Sequence, residues 1–145
     1  MNHEDYMREA MKEADLAVAG GNAPFGVIVV DNDTSEIICR DHDRVKEYCD
    51  PTAHGEINAI RKLCKERNVL SLANTTFYTT SEPCPTCLTG MIKAKVPINY
   101  FGAETEATAS LPIKAKDLAM QSKKYPIEIN SGILAEDCLE QRKKF

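Results

Sequence analysis

Four side chains in two short stretches have the types and spacing to do chemistry together. "DPTAHGEINAI", residues 50–60, carries His54 and Glu56 two positions apart, and "SEPCPTC", residues 81–87, carries Cys84 and Cys87 three positions apart. Thiols three residues apart share one face of a helix, and close to a helix N-terminus the open N–H groups and the dipole favour thiolates. Two thiolates and one imidazole give a tetrahedral Zn2+ three ligands and leave the fourth position for water, the arrangement of a catalytic rather than a structural site. Zinc lowers the pKa of water in that position to about 7, so a nucleophile is available at neutral pH. Glu56 is then free to act as general base and general acid instead of completing the metal site. Side chains two residues apart project roughly 200° apart around a helix, so His54 and Glu56 converge only from a first turn.

A redox dithiol or a structural zinc site accounts for less of the pattern. Either one uses Cys84 and Cys87 but leaves the His-x-Glu pair without a role, and no fourth ligand stands at a spacing that would close the site. Cys39, Cys49, Cys64 and Cys138 have no partner motif and read as small core or surface residues, as do His3 and His42.

The elements that must position these groups follow from the apolar spacing. "MREAMKEADLAVA" repeats Met7, Ala10, Met11, Ala14, Ala17 and Val18 on one helical face, ended by Gly20 and Gly21. "PFGVIVVD" and "SEIICR" flank the turn formers "DNDT" and read as a hairpin whose second strand ends near Arg40. After a polar loop, a helix is predicted from the Asp-Pro-Thr signal at residue 50, with Ile57, Ile60 and Cys64 at helical spacing. "NTTFYTT" reads as a strand, "EPCPTCLTGMIKA" as a helix entered through proline, "INYF" and "YPIEIN" as strands, and "GILAEDCLEQRKKF" as a closing helix. Residues 103–124 read as a loop and a short helix. Interleaved helices and strands imply one α/β domain over 1–145, a three-layer sandwich with a mixed sheet.

Bulk properties narrow the classes. The 145 residues are 43% hydrophobic and 28% charged, which excludes a disordered tail. Apolar runs such as "FGVIVV" fall far short of the roughly 20 residues of a spanning helix, and no signal peptide opens the chain, so a cytoplasmic protein without a membrane partner is expected. The formal charge of −4 argues against a large nucleic-acid footprint and for a small partner.

With these residues in view, His54-x-Glu56 followed by Pro83-Cys84-x-x-Cys87 resembles the cytidine deaminase superfamily, in the branch of guanine, cytosine and tRNA adenosine deaminases. "APFG", "DPTAHGEINAIRK" and "YTTSEPCPTC" resemble guanine deaminase segments in the same order. The resemblance implies a five-stranded mixed sheet flanked by helices and a homodimer. It also implies zinc on His54, Cys84 and Cys87, with Glu56 as the catalytic residue. It places Phe25 against the substrate ring and Phe145, a C-terminal aromatic, over the site.

The sequence departs from that pattern in places that bear on substrate. Asp43 stands where the family usually has an asparagine that hydrogen-bonds the base; a carboxylate only accepts, so it is expected to face a ring N–H or amino group. Lys93 replaces an aromatic that guanine deaminases carry, while the spacing from Cys87 to Pro97 and Gly55, also assigned to substrate binding, resemble the cytosine branch. The acidic residue that guanine deaminases use after the fourth strand has Glu104, Glu106 and Asp117 as candidates. The expected activity is hydrolytic deamination of a free aminated heterocycle, guanine first, with cytosine or isocytosine as the pyrimidine alternative. A tRNA adenosine deaminase and a non-catalytic zinc module are the competing readings.

Overall fold

The computed structural model of the protein describes residues 1–109 and 111–144. Helix α1 (His3–Ala19) starts at Asn2, whose side chain accepts the Asp5 N–H while the Asp5 carboxylate accepts the Asn2 N–H. This reciprocal cap satisfies two N–H groups that a helix start leaves open. Met7, Ala10, Ala14 and Ala17 are fully buried along the predicted stripe, which stops there; Val18 is 38% exposed. The helix lies so close over β1 (Gly26–Asp31) that a Cβ on Gly26 would strike the Ala10 carbonyl and the Ala14 amide, an approach that only glycine permits.

β1 pairs antiparallel with β2 (Ile37–His42) in the predicted hairpin. The second strand runs past Arg40 because Asp41 and His42 still pair with Val27 and Gly26. On its other side β1 pairs antiparallel with β3 (Thr75–Ser81), to which β4 (Ile98–Ala103) and then β5 (Glu128–Asn130) add in parallel. The five-stranded mixed sheet has the order β2-β1-β3-β4-β5. Period-two alternation divides β1 between two cores. Val27 and Val29 pack toward α3 (Gly55–Arg67), α4 (Pro85–Lys93) and α5 (Ala115–Ala119), whereas Ile28 and Val30 pack toward α1 and α6 (Ala135–Lys143). The result is the α/β sandwich expected from the sequence.

Two local readings need correction. The polar loop after β2 contains a single helical turn, α2 (Val45–Tyr48). Asp50 does not start α3; its Oδ1 accepts both the N–H and the O–H of Thr52, which closes a tight turn, and the helix begins at Gly55 with His54 as N-cap. Along α3, Ala59 and Leu63 are buried in the core and the predicted Ile60 and Cys64 pack against the same cluster from its edge, while Ile57 and Ile60 lie across Gly90 of α4. Among the described residues, no helix is long and apolar enough to cross a membrane.

Candidate active site

Two helix N-termini meet at the C-terminal end of β3. His54 is the N-cap of α3 and Cys84 the N-cap of α4, and neither side chain caps its own helix. Both side chains are therefore available to a ligand, and both helix dipoles present their positive ends to the thiolates. Pro85 occupies the first helical position, where its missing N–H costs nothing. Cys87, one turn farther along α4, is fully buried.

His54 Nδ1 lies 3.5 Å from Cys84 Sγ and 3.4 Å from Cys87 Sγ, and the three donor atoms all lie within 4.8 Å of one another. A tetrahedral Zn2+ at ordinary bond lengths separates its nitrogen and sulfur ligands by roughly 3.6 Å, so the donors stand where an ion fits. Among the described residues, no other group of His, Cys, Asp or Glu side chains gathers in this way. The proton balance agrees. The hydrogen bond from Cys87 holds the Cys84 thiol down at about 4, and the hydrogen bond to Cys84 raises His54 to about 9. Cys87 is pushed up, first as donor to Cys84 and then by burial. One thiolate is thus favoured beside the imidazolium, and a bound cation would favour ionisation of the second sulfur.

Glu56 sits in the first turn of α3, 9% exposed, with a side-chain hydrogen bond to Cys87. Burial raises its carboxyl to about 7. A carboxyl near neutrality can both take and return a proton. The first-turn placement that the spacing of His54 and Glu56 demanded is the one the fold supplies.

A cavity of about 320 Å³ opens over this group, lined by Phe25, Asp43, His54, Glu56, Cys84 and Arg142 among others. Half-buried Phe25 faces the Arg142 guanidinium at 5.9 Å. Asp43 is 4% exposed, and its Oδ2 accepts the Ala23 N–H. Gly55 does not line the cavity. A Cβ there would meet Val27 Cγ1 at 3.0 Å and the His42 backbone at 3.2 Å, so the glycine serves close packing of α3 on the sheet and not substrate contact. Phe145 lies outside the described residues. Of the three acidic candidates only Glu106 reaches the cavity; Glu104 pairs with Lys114, and Asp117 is on the exposed side of α5.

Three supporting residues escaped the sequence reading. Asn58 donates from Nδ2 to the carbonyls of His42 and Ala53, both at 3.0 Å, and so fixes the start of α3 to the end of β2. Buried Glu82 accepts the N–H of Thr105 at 2.8 Å and of Ala115 at 2.7 Å, clamping both ends of the segment that carries Glu106 over the cavity. Arg142 ties α6 to the same rim through the Ala103 and Glu104 carbonyls and Ser81 Oγ. For Glu82 a signal existed, since it adjoins Pro83 and Cys84; Asn58 and Arg142 offered none.

Comparison with known proteins places a zinc-binding region in the same part of the chain. The family described as the cytidine and deoxycytidylate deaminase zinc-binding region matches residues 1–103. A tRNA-specific adenosine deaminase of Haemophilus influenzae is 33% identical over 142 residues, 98% of this chain and 82% of that protein. A guanine deaminase of Bacillus subtilis is 38% identical over 105 residues, 72% of this chain and 66% of that protein. A solved structure from studies of A-to-I editing by tRNA:A34 deaminases matches with a TM-score of 0.83 at 26% identity, covering 94% of this chain and 98% of that one.

Proposed function

Since the chain belongs to the cytidine and deoxycytidylate deaminase family, whose matched region binds zinc, we propose that it removes an exocyclic amine hydrolytically from a free aminated heterocycle. Guanine is the first candidate, with cytosine or isocytosine as the pyrimidine alternative. The observation that carries this reading is the cavity: about 320 Å³, lined by Phe25, by the metal donors His54 and Cys84, by Glu56 and by the acidic side chains Asp43, Glu82 and Glu106. That size and chemistry suit a flat ring bearing N–H groups. In this reading the protein acts in the cytoplasm.

Zinc held by His54, Cys84 and Cys87 supplies a Lewis acid that makes water a nucleophile at neutral pH. Glu56 carries the proton. It accepts one from the attacking water and delivers it to the ring nitrogen beside the amine-bearing carbon, then takes the second from the newly added hydroxyl as the carbonyl forms and gives it to the departing amine. A C–N bond breaks, a carbonyl replaces it, and one water is consumed for each ammonia released. Phe25 holds the ring by its face. Ammonia release from a panel of aminated purines, pyrimidines and triazines tests the proposal; zinc-loaded protein that releases none refutes it.

A second reading, deamination of adenosine in tRNA, is favoured by the relatives. The tRNA-specific enzyme matches across 98% of this chain, whereas the guanine deaminase matches across 72%. Electrostatics oppose it: the formal charge is −4, and the cavity that an RNA base would enter is lined by buried Asp43 and exposed Glu106. Turnover of tRNA that weakens steeply with salt would establish this reading in place of the first.

A further inference from the structure

We infer that Asp43 makes the site selective for heterocycles that carry a second N–H donor, an amino group or protonated ring nitrogen, where the related oxo compound carries a carbonyl. The inference rests on the reading of the site as a deaminase of free heterocycles and specifies which of them it accepts.

Asp43 follows β2 directly, and its N–H donates to the Phe25 carbonyl at 2.9 Å, so the carboxylate and the candidate stacking ring share one fixed backbone unit. Its side chain lines the cavity at 4% exposure. Oδ2 accepts the Ala23 N–H at 3.2 Å, while Oδ1 receives no hydrogen bond from any described residue. Of the cationic groups nearby, His54 acts on Asp43 through charge alone, its Nδ1 being held by Cys84 and Cys87, and the others are engaged elsewhere. Arg44 Nε donates to Asp41 at 2.7 Å and its Nη1 to Glu47. His42 Nδ1 is 2.9 Å from Glu13, and Arg142 binds two carbonyls, Ser81 and Glu106.

Glu82 supplies the contrast. This buried carboxylate in the same wall has a backbone N–H on each oxygen and so has no need of a ligand. Asp43 keeps an open acceptor on the cavity wall, and a bound ring that displaces water from it must supply the donor itself. A substrate amino group or ring N–H supplies that donor. A carbonyl in the same place sets acceptor against acceptor, and sites built around one hydrogen bond discriminate strongly against the analogue that lacks it.

The test compares kcat/KM within two matched pairs, 2,4-diaminopyrimidine against cytosine and 2,6-diaminopurine against guanine, with products identified so that loss of the same amine is compared. The zinc-loaded protein is expected to favour the diamino member at least tenfold in the pair it turns over. In Asp43→Asn, which keeps the shape but adds N–H donors, the ratio is expected to fall to one or below with zinc content unchanged. Equal turnover, preference for the oxo member, or an Asn variant with the wild-type ratio overturns the inference and leaves the deaminase reading standing. If the variant does not fold, the wild-type ratio decides alone. Zinc-loaded protein that deaminates tRNA but no free heterocycle removes the underlying reading and this inference together.

Discussion

Glu56 combines two properties that rarely coincide: a carboxyl raised to about 7 by burial, and a position in the first turn of a helix that places it against Cys87. Replacement by Gln preserves shape and burial but cannot carry a proton. Glu56→Gln is expected to lower kcat by about a hundredfold to ten-thousandfold while zinc content, read by metal analysis, stays at one per chain. A loss of zinc in that variant would make Glu56 a ligand and end its assignment as the proton carrier. Phe25 has a milder role. Loss of a stacking partner worth about 0.5–1.5 kcal/mol predicts that Phe25→Ala raises KM a few-fold to about tenfold, with kcat much less affected. A kcat collapse with unchanged KM would show that the ring supports the protein and not the substrate.

The two helix starts hold the chemistry in place only because other elements hold them. Asn58 bonds two backbone carbonyls, His42 and Ala53, from inside the first turns of α3. Removing a buried donor leaves each acceptor without its partner at about 1–3 kcal/mol. Asn58→Ala is therefore expected to lower the unfolding free energy by about 2–4 kcal/mol and to weaken zinc affinity, because His54 rides on the same turn; denaturant unfolding and metal competition read the two effects. Glu82→Gln replaces one accepting oxygen with an amide that faces a backbone N–H. Faster proteolytic cleavage within residues 104–114 is expected, and wild-type protection of that segment would show that the clamp at Thr105 and Ala115 is dispensable. These supports mark the boundary of what the sequence disclosed. His54, Glu56, Cys84 and Cys87 were readable because metal geometry and helix periodicity dictate their spacing. β1 and β2 were readable as a hairpin because "DNDT" separates two β-branched runs. Asn58 and Arg142 act through hydrogen bonds that converge on backbone carbonyls of other segments, and no local pattern encodes such contacts; Glu82 could be noticed beside Pro83 and Cys84, but not its partners Thr105 and Ala115. Gly55 was misread for a related reason, since its lack of a side chain answers to Val27 and His42 across the core and not to a ligand. The start of α3 was misplaced because Asp-Pro-Thr closes a turn as readily as it opens a helix.

For the whole molecule, the metal centre and the fold are linked through the sheet. α3 and α4, which carry all three donors, pack on the same core cluster as β1 and β3, so an ion at their N-termini ties two helices across one face of the sandwich. A ligand bound by the folded chain alone stabilises it by about 2.7 kcal/mol at a free concentration one hundred times its Kd. A chain of this length gains roughly 2–4 °C in thermal midpoint per kcal/mol. Stripping the metal with a chelator is thus expected to abolish ammonia release and to lower the midpoint by about 5–10 °C, and both effects should reverse on adding Zn2+ but not Mg2+, whose preference for oxygen ligands fits this donor set poorly. The homodimer proposed from family resemblance can be followed in the same samples by light scattering: the metal donors all come from one chain, so the monomer is expected to retain zinc on dilution. Stripped protein that still turned over substrate would separate the catalysis from His54, Cys84 and Cys87. Stripped protein with an unchanged midpoint but no turnover would leave the chemistry intact and confine the metal's role to catalysis.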